Sequence, residues 1–423
     1  MMGMEPKDFK SVSIIGACGH IGLPLALVLA DAGFEVTGID LDANRIEEIM
    51  SGHMPYVEEG AEELLARLLP TGRLRFSTDH SSVNKSDVLM IIIGTPIDDN
   101  LNARIDPLLD LLRQLKGLLR PGQLVVLRST VSPGTTELFK AELEDGTDLK
   151  EGKDITLVFA PERVLQTKAI TEIADLPQLI GAFSDEGFET ASRFFRKFVK
   201  SHLLKLSPVE AELGKLMTNM ARYVSFALAN EFYLIADSFG ANAHKIINAC
   251  NLDYDRLNIP KPGPNVGGPC LFKDGYYLLS NISFPEIIST AFKVNESMPM
   301  IIAKKIFEQH KAQNVGVLGL AFKPNCDDTR SSLSFKLRKL LRNRRCKTVD
   351  VDPYVEGCED LSRLKGVDAL VLMTPHREFA SLAEILKAVD NPDCLIVDLW
   401  NYWPENIDLS HDGVYRAKDV RPA

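Results

Sequence analysis

The chain has seven cysteines, at 18, 250, 270, 326, 346, 358 and 394, yet no two stand at CxxC spacing. An odd, scattered set argues against a disulfide framework and against a zinc site, so no metal is expected. No apolar run approaches the ~18 residues of a membrane span. The longest, Val88-Leu-Met-Ile-Ile-Ile93, suits a buried strand instead. The first residues lack the charged-then-apolar layout of a signal peptide, so a cytoplasmic protein without membrane contact is expected. Positive charge is in deficit too: 48 Lys and Arg against 58 Asp and Glu give a formal net charge of −10. Nucleic acid is thereby disfavoured as a partner. An anionic substrate would have to be held by local Lys, Arg and helix N-termini. Low-complexity segments and recognisable repeats are absent as well.

What is there looks globular. The 423 residues exceed one hydrophobic core, so two or three domains are expected. Ser11–Ile15 reads as a strand running into Gly16-Ala-Cys-Gly19-His20-Ile21-Gly22. A helix over Leu23–Ala32 and a strand over Glu35–Ile39 follow, the strand ending at Asp40. Strand, glycine turn, helix, strand and acid, in that order, open a dinucleotide-binding sheet. Further strands are expected at Val88–Ile93, Leu124–Arg128 and Ile155–Phe159, giving a mainly parallel sheet with helices on both faces.

From Pro208 to Phe239 the pattern changes to one long helix, with Leu213, Leu216, Met220, Val224 and Leu228 at helical spacing. It could join two domains and carry a dimer interface. A Pro/Gly-rich loop, Asn258–Gly268, leads to Cys270. A second β/α series then runs through strands Asn314–Leu320, Lys347–Val351, Asp368–Met373 and Cys394–Leu399. It has no GxGxxG-like turn, so something other than a second NAD is expected there. The fold class read from these elements is α/β, with two Rossmann-like, doubly wound domains joined by a long central helix and a helical region.

The glycine turn has spacing GxxGxxG, but the physical need is the usual one. Glycines let backbone N–H groups approach a pyrophosphate at a helix N-terminus. Asp40, 18 residues past Gly22, suits a ribose diol and favours NAD over NADP; Arg45 nearby could accommodate a 2′-phosphate. Gly94-Thr95-Pro96 and Ser129-Thr130-Val131-Ser132-Pro133-Gly134-Thr135-Thr136 are βα loops facing the nicotinamide. Helix capping explains Thr135, whereas Thr130 sits too early and reads as a site residue. Cys270 stands in Gly267-Gly-Pro-Cys270-Leu-Phe-Lys273-Asp274, a tight turn in which the lysine can favour thiolate and the aspartate can hold a proton. Spacing alone leaves an inert thiol as the alternative.

These residues resemble the UDP-glucose/GDP-mannose dehydrogenase family over nearly the whole chain. The likeness lies in the glycine turn with Leu23-Pro24, Ser129–Thr136, Pro161-Glu162, Glu212-Leu-Gly-Lys215 with Asn219, Asn230-Glu231, Gly267–Asp274, and Gly319-Leu-Ala-Phe-Lys323 with Asp327-Asp-Thr-Arg330-Ser. The resemblance implies an NAD-binding domain (1–205), a central helical dimerisation domain with the cysteine loop (206–305) and a UDP-sugar-binding domain (306–423). It implies a C6 alcohol oxidised through an aldehyde and a Cys270 thioester to a carboxylate, using two NAD and one water. Lys215 and Asn219 match oxyanion donors, Asp274 the base, Thr130 a water-positioning hydroxyl, and Glu162 a glutamate serving substrate binding and hydrolysis. Ile21, Asp40, Arg45, Thr95, Lys273 and Arg330 match NAD contacts, and Gly267 and Lys323 substrate contacts. Three departures stand out: Gln166 where glucose-type members carry a second glutamate, Cys326 where Thr is common, and Pro269 where His or Tyr is commoner.

Pro161-Glu162-Arg163-Val164-Leu165 resembles the UDP-N-acetylhexosamine members, as do Arg222 and the Arg256–Pro264 loop, whose arginine reaches across the dimer. The alternative is that all three arginines are solvated surface charges. The expected substrate is UDP-N-acetyl-D-mannosamine or its epimer UDP-N-acetyl-D-glucosamine, with the enzyme a homodimer through the central helix. The alternatives are a UDP-glucose or GDP-mannose 6-dehydrogenase, a β-hydroxyacid dehydrogenase, and a catalytically silent NAD-binding protein. The C-terminal sheet counts against the hydroxyacid reading, and Cys270, Lys215, Asn219 and Asp274 count against the silent one.

Overall fold

The structure, a computed structural model, describes residues 8–99, 102–279, 286–404 and 413–420, without the side chains of Cys270, Phe272 and 308–310. It divides into two compact units, Met1–Thr218 with Tyr276–Asn281, and Asn219–Gly275 with Ile282–Ala423.

The first unit opens with β1 (Ser11–Ile15), α1 (Gly22–Asp31), β2 (Glu35–Ile39), α2 (Ala43–Met50), α3 (Ala61–Leu68) and β3 (Leu74–Ser77). β4 (Val88–Ile91), α4 (Asp106–Leu115), β5 (Leu124–Leu127), α5 (Thr135–Glu144) and β6 (Thr156–Phe159) follow. α6 (Ala169–Asp175), β7 (Gln178–Ala182), α7 (Asp185–Phe195) and β8 (Leu203–Leu206) complete the sheet. Its order is β3-β2-β1-β4-β5-β6-β7-β8, all parallel except the β6–β7 pair. The chain reverses direction across the sheet between β1 and β4, the switch point where doubly wound sheets hold their ligands.

Alternation along the strands supplies two buried faces. Ile14, Met90, Val126 and Val158 join one apolar cluster, and Ile15, Leu89, Ile91, Val125, Leu127 and Leu157 the other. Sequence periodicity found β1 and β2 to the residue and missed β3, β7 and β8. β3 and β8 are edges, and β8 is half exposed, so neither is a continuous apolar run.

α8 (Pro208–Ser238) is the long helix, continuous across the division between the units. Its buried residues are not quite the expected ones: Leu216 and Met220 are buried, but Leu228 is 46% exposed, and Tyr223, Ala227 and Tyr233 face inward. The second unit continues with α9 (Ala243–Asn251), α10 (Pro269–Leu279), whose last residues belong to the first unit, α11 (Glu286–His310), β9 (Asn314–Leu318) and α12 (Leu333–Asn343). β10 (Lys347–Val351), β11 (Ala369–Leu372), α13 (Leu382–Val389), β12 (Leu395–Val397) and β13 (Val414–Arg416) finish it. The second sheet runs β10-β9-β11-β12-β13, parallel but for the β12–β13 pair. Among the described residues no helix is long and apolar enough to cross a membrane.

Candidate active site

The glycine turn shows why each glycine is there. Gly16 has φ +85°, and a Cβ on it would sit 2.2 Å from the Ile92 carbonyl oxygen. A Cβ on Gly22 would lie 2.1 Å from the Gly16 oxygen, so β1, the turn and α1 could not close. Gly19 is different: its nearest protein atom would be 3.6 Å away, leaving room for a ligand to approach the backbone. The first turn of α1 has no acidic residue and no capping side chain, so its N–H end suits a pyrophosphate. These features fit NAD.

Asp40 follows β2. Its Oδ2 accepts from the Cys18 N–H at 2.8 Å and its Oδ1 from the Asp42 N–H at 3.2 Å. A carboxylate has about four lone-pair positions, so two remain for a ribose diol. Arg45 is exposed on α2 and paired with Asp42 at 3.6 Å. His20 stacks on Tyr56 with ring centroids 4.1 Å apart, and the Tyr56 hydroxyl donates to the Gly19 carbonyl at 2.8 Å. The His20 Nδ1 lies 3.0 Å from the Gln166 amide nitrogen. Gln166, the departure from the glucose type, therefore contacts the cofactor turn.

Thr95 is buried, and its hydroxyl donates to the Thr130 carbonyl at 2.5 Å, joining the loops that follow β4 and β5. Tyr277 donates its hydroxyl to the Thr95 carbonyl. Glu162 accepts from the buried Arg128 guanidinium and, through Oε1, from the N–H groups of Arg163 (2.8 Å) and Val164 (3.2 Å). Arg163 turns its own guanidinium to the Pro177 carbonyl, and Val164 packs on the core. Glu212 on α8 accepts from the Gly134 N–H (2.6 Å), the Thr136 N–H (2.7 Å) and the Thr136 hydroxyl (2.5 Å). That ties the Ser129–Thr136 loop to the helix three residues before Lys215. Burial pushes the Glu212 carboxyl up, against the pull of Thr136 and Gly134.

In the second unit, Cys270 is the second residue of α10 rather than part of a free turn; Pro269 begins the helix, as its fixed φ and missing N–H allow. The Cys270 side chain lies outside the described residues. Asp274, four positions on, is fully buried and accepts from the Asn219 amide at 2.6 Å. Gly268 has φ +98°, with the Phe322 ring where a Cβ would be, and a Cβ on Gly267 would strike the Ser331 carbonyl at 2.6 Å. Arg330 grips Asp328 at 2.6 Å, and Lys323 and Lys273 are partly buried. Arg222 and Arg256 are exposed, the latter over the Tyr254 ring at 4.7 Å.

Three residues escaped sequence reasoning: Arg128, Tyr277 and Asn265. Asn265 is buried and donates to the Ala321 carbonyl (2.9 Å) and the Thr374 hydroxyl (2.9 Å), accepting from the Leu333 N–H (2.8 Å). It pins the loop before α10 to the strand ends of the second sheet. Its only sequence signal was a polar residue inside a Pro/Gly loop.

The second sheet repeats the turn of the first in altered form. Gly319 has φ +87° and presses on Thr374, and Asp352 ends β10 as Asp40 ends β2. Asp352 already accepts from Leu320 N–H (2.6 Å), Ala321 N–H (3.0 Å), Tyr354 N–H (2.9 Å) and His376 Nε2 (3.1 Å). The Asn325 N–H donates to His376 Nδ1 at 3.0 Å, so the ring proton sits on Nε2 and faces Asp352. With four donors on it, three of them crowded on Oδ2, Asp352 offers a ribose less than Asp40, which takes two.

Comparison with known proteins agrees with this arrangement. Models of the UDP-glucose/GDP-mannose dehydrogenase family match as its NAD binding domain at residues 10–199, its central domain at 209–297 and its UDP binding domain at 316–405. A UDP-N-acetyl-D-mannosamine dehydrogenase of Pyrococcus horikoshii is 36% identical over 385 residues, 88% of this chain and 90% of that one. A solved UDP-D-ManNAc dehydrogenase from the same organism superposes with TM-score 0.84 at 35% identity, covering 89% of this chain and 93% of that one. For the UDP-N-acetyl-mannosamine dehydrogenase of Staphylococcus aureus the TM-score is 0.82 at 29% identity, covering 93% and 95%. The chain belongs to the UDP-glucose/GDP-mannose dehydrogenase family and is an NAD-dependent nucleotide-sugar dehydrogenase.

Proposed function

We propose that the chain oxidises the C6 alcohol of a UDP-N-acetylhexosamine, UDP-N-acetyl-D-mannosamine in first place, to the uronic acid through a thioester on Cys270. The observation that carries this reading is the buried Asn219–Asp274 pair at the helix that begins with Pro269-Cys270. The substrate assignment draws on the hexosamine relatives and on Arg163-Val164 after Glu162.

Bound NAD supplies the hydride acceptor for each of the two oxidations. Cys270 sulfur adds to the C6 aldehyde, giving the carbon an oxyanion from which a second hydride can leave. Asn219 has two amide hydrogens; one serves Asp274, leaving one for that oxyanion beside the Lys215 charge. A helix N-terminus favours thiolate, and Asp274 is the base that takes a proton in turn. Water oxygen then bonds to C6, the C–S bond breaks, and carboxylate and thiolate separate as the water protons pass to solvent. In sum, one alcohol and one water yield one carboxylate, two reduced cofactors and three protons.

The three-domain division at 205 and 305, a cytoplasmic setting and a homodimer through α8 belong to the same proposal. Leu228, Phe232 and Ile235 stand exposed along α8 and, with Ile246, Leu257 and Ile259, line an apolar cavity of about 670 Å³ in the second unit. Such a face on a net −10 protein calls for a partner, and a second copy of this chain would bring its Arg256 loop to the same edge.

The decisive measurement is NADH formed per sugar consumed across UDP-N-acetyl-D-mannosamine, UDP-N-acetyl-D-glucosamine, UDP-glucose and GDP-mannose. Two NADH with an N-acetylhexosamine, and loss of acid product in Cys270→Ser, are expected. One NADH, or undiminished acid from Cys270→Ser, refutes the thioester.

A further inference from the structure

Arg128 directly follows β5 and is 3% exposed, lying against the Phe195 ring at 5.8 Å. A buried guanidinium needs partners, and this one has two on different segments. One terminal nitrogen donates to the Gln178 side-chain oxygen at 3.1 Å and the other to Glu162 Oε2. Gln178 in turn donates its amide to the Pro161 carbonyl at 3.1 Å and the Leu179 carbonyl at 2.8 Å. Glu162 Oε1 is already engaged by the Arg163 and Val164 N–H groups. Three of its about four lone-pair positions are thus taken by fixed donors, and one is open. On the other side, Ser129 donates to the Ile93 carbonyl at 2.8 Å, and the Thr130 carbonyl is held by Thr95. The two forks of one side chain therefore join the Thr130 loop to residues 161–164.

We propose that Arg128 is a positioning residue for the hydrolytic half of the reaction, aiming the single open lone pair of Glu162 at the attacking water. The proposal rests on the thioester reading above. Glu162 orients the water by accepting one hydrogen bond from it, while the water oxygen forms its bond to C6 and the sulfur leaves. Lysine cannot replace the fork, because a point charge on a flexible stem bonds Glu162 or Gln178 without fixing their separation.

The test is rapid mixing of the full chain with excess NAD and UDP-N-acetyl-D-mannosamine. The unsubstituted chain is read first: one NADH per sugar there refutes the thioester itself and not this assignment. In Arg128→Lys, the first NADH should form within about threefold of the parent rate, while hydrolysis slows roughly 10- to 100-fold, the cost of a misplaced group. The trace then shows a burst of two NADH per chain and a slow steady state. Gln178→Met removes only the second fork contact and should slow hydrolysis less, in the same direction; it decides the matter if Arg128→Lys does not fold. Equal loss of both phases in a folded variant, or hydrolysis at the parent rate, overturns the proposal.

Discussion

Asp40 does two things with one carboxylate: it closes the glycine turn through Cys18 and starts the turn before α2 through Asp42. Asp40→Ala should therefore weaken NAD by ~1.5–3 kcal/mol, the worth of a hydrogen bond to a charged group, read as a rise in KM for NAD with KM for the sugar little changed. An unchanged cofactor KM would place the ribose elsewhere. Asp398 is a different kind of acid, 1% exposed after β12. Its Oδ2 accepts from the Tyr402 and Trp403 N–H groups, while Oδ1 has no partner among the described residues. Burial, opposed by those N–H groups, pushes its carboxyl from 3.8 up to about 6. The folded chain holds this proton more tightly than the unfolded one, so the stabilisation is complete below about pH 4 and is lost as pH rises through 6. At about 1.4 kcal/mol per pH unit that is about 3 kcal/mol. Asp398→Asn keeps a neutral side chain throughout, so its urea midpoint relative to the parent should rise between pH 4.5 and 7.5. A constant difference across that range would mean that Asp398 is not the group being titrated.

At the scale of elements, Glu212 is the joint between α5 and α8. Glu212→Ala leaves the Gly134 and Thr136 donors buried without an acceptor and should cost ~2–4 kcal/mol, seen in thermal unfolding, with kcat falling as Lys215 loses its anchor. Because burial raises this carboxyl, its contribution is greatest in acid and declines as pH rises, so the penalty should shrink from pH 5 to 8. Interior strands such as β1, β4 and β9 were legible because apolar runs bounded by turn residues leave few alternatives, whereas the equally buried β7, its run broken by Gln178 and Gly181, was not. Edges such as β3, β8 and β13 were not, since pairing on one side stabilises a strand that composition does not mark. The same division holds at the site. Gly16, Asp40 and Asp274 are read from local motifs, whereas Arg128, Asn265 and the Gln166–His20 contact join segments distant in sequence, and no local pattern announces them.

For the whole molecule the strongest expectation concerns α8. Ile235 is 49% exposed at the rim of the apolar cavity. Ile235→Asp should turn a dimer into a monomer by light scattering, with activity lost if Arg256 serves a neighbouring site. A variant that remains dimeric would move the interface off this face. The two sheets share a plan that no alignment of their residues reveals, because each conserves roles rather than letters: a glycine with positive φ pressed on the next strand end, and an acid receiving the turn.

That shared plan also sorts ligands. Asp352 takes four donors from its own loop and His376, three of them on one oxygen, while Asp40 takes only two. An inhibitor built around an adenosine diol therefore meets a more open acid at the cofactor turn than at its twin, so hydrogen-bond capacity favours the first before any nucleobase is read.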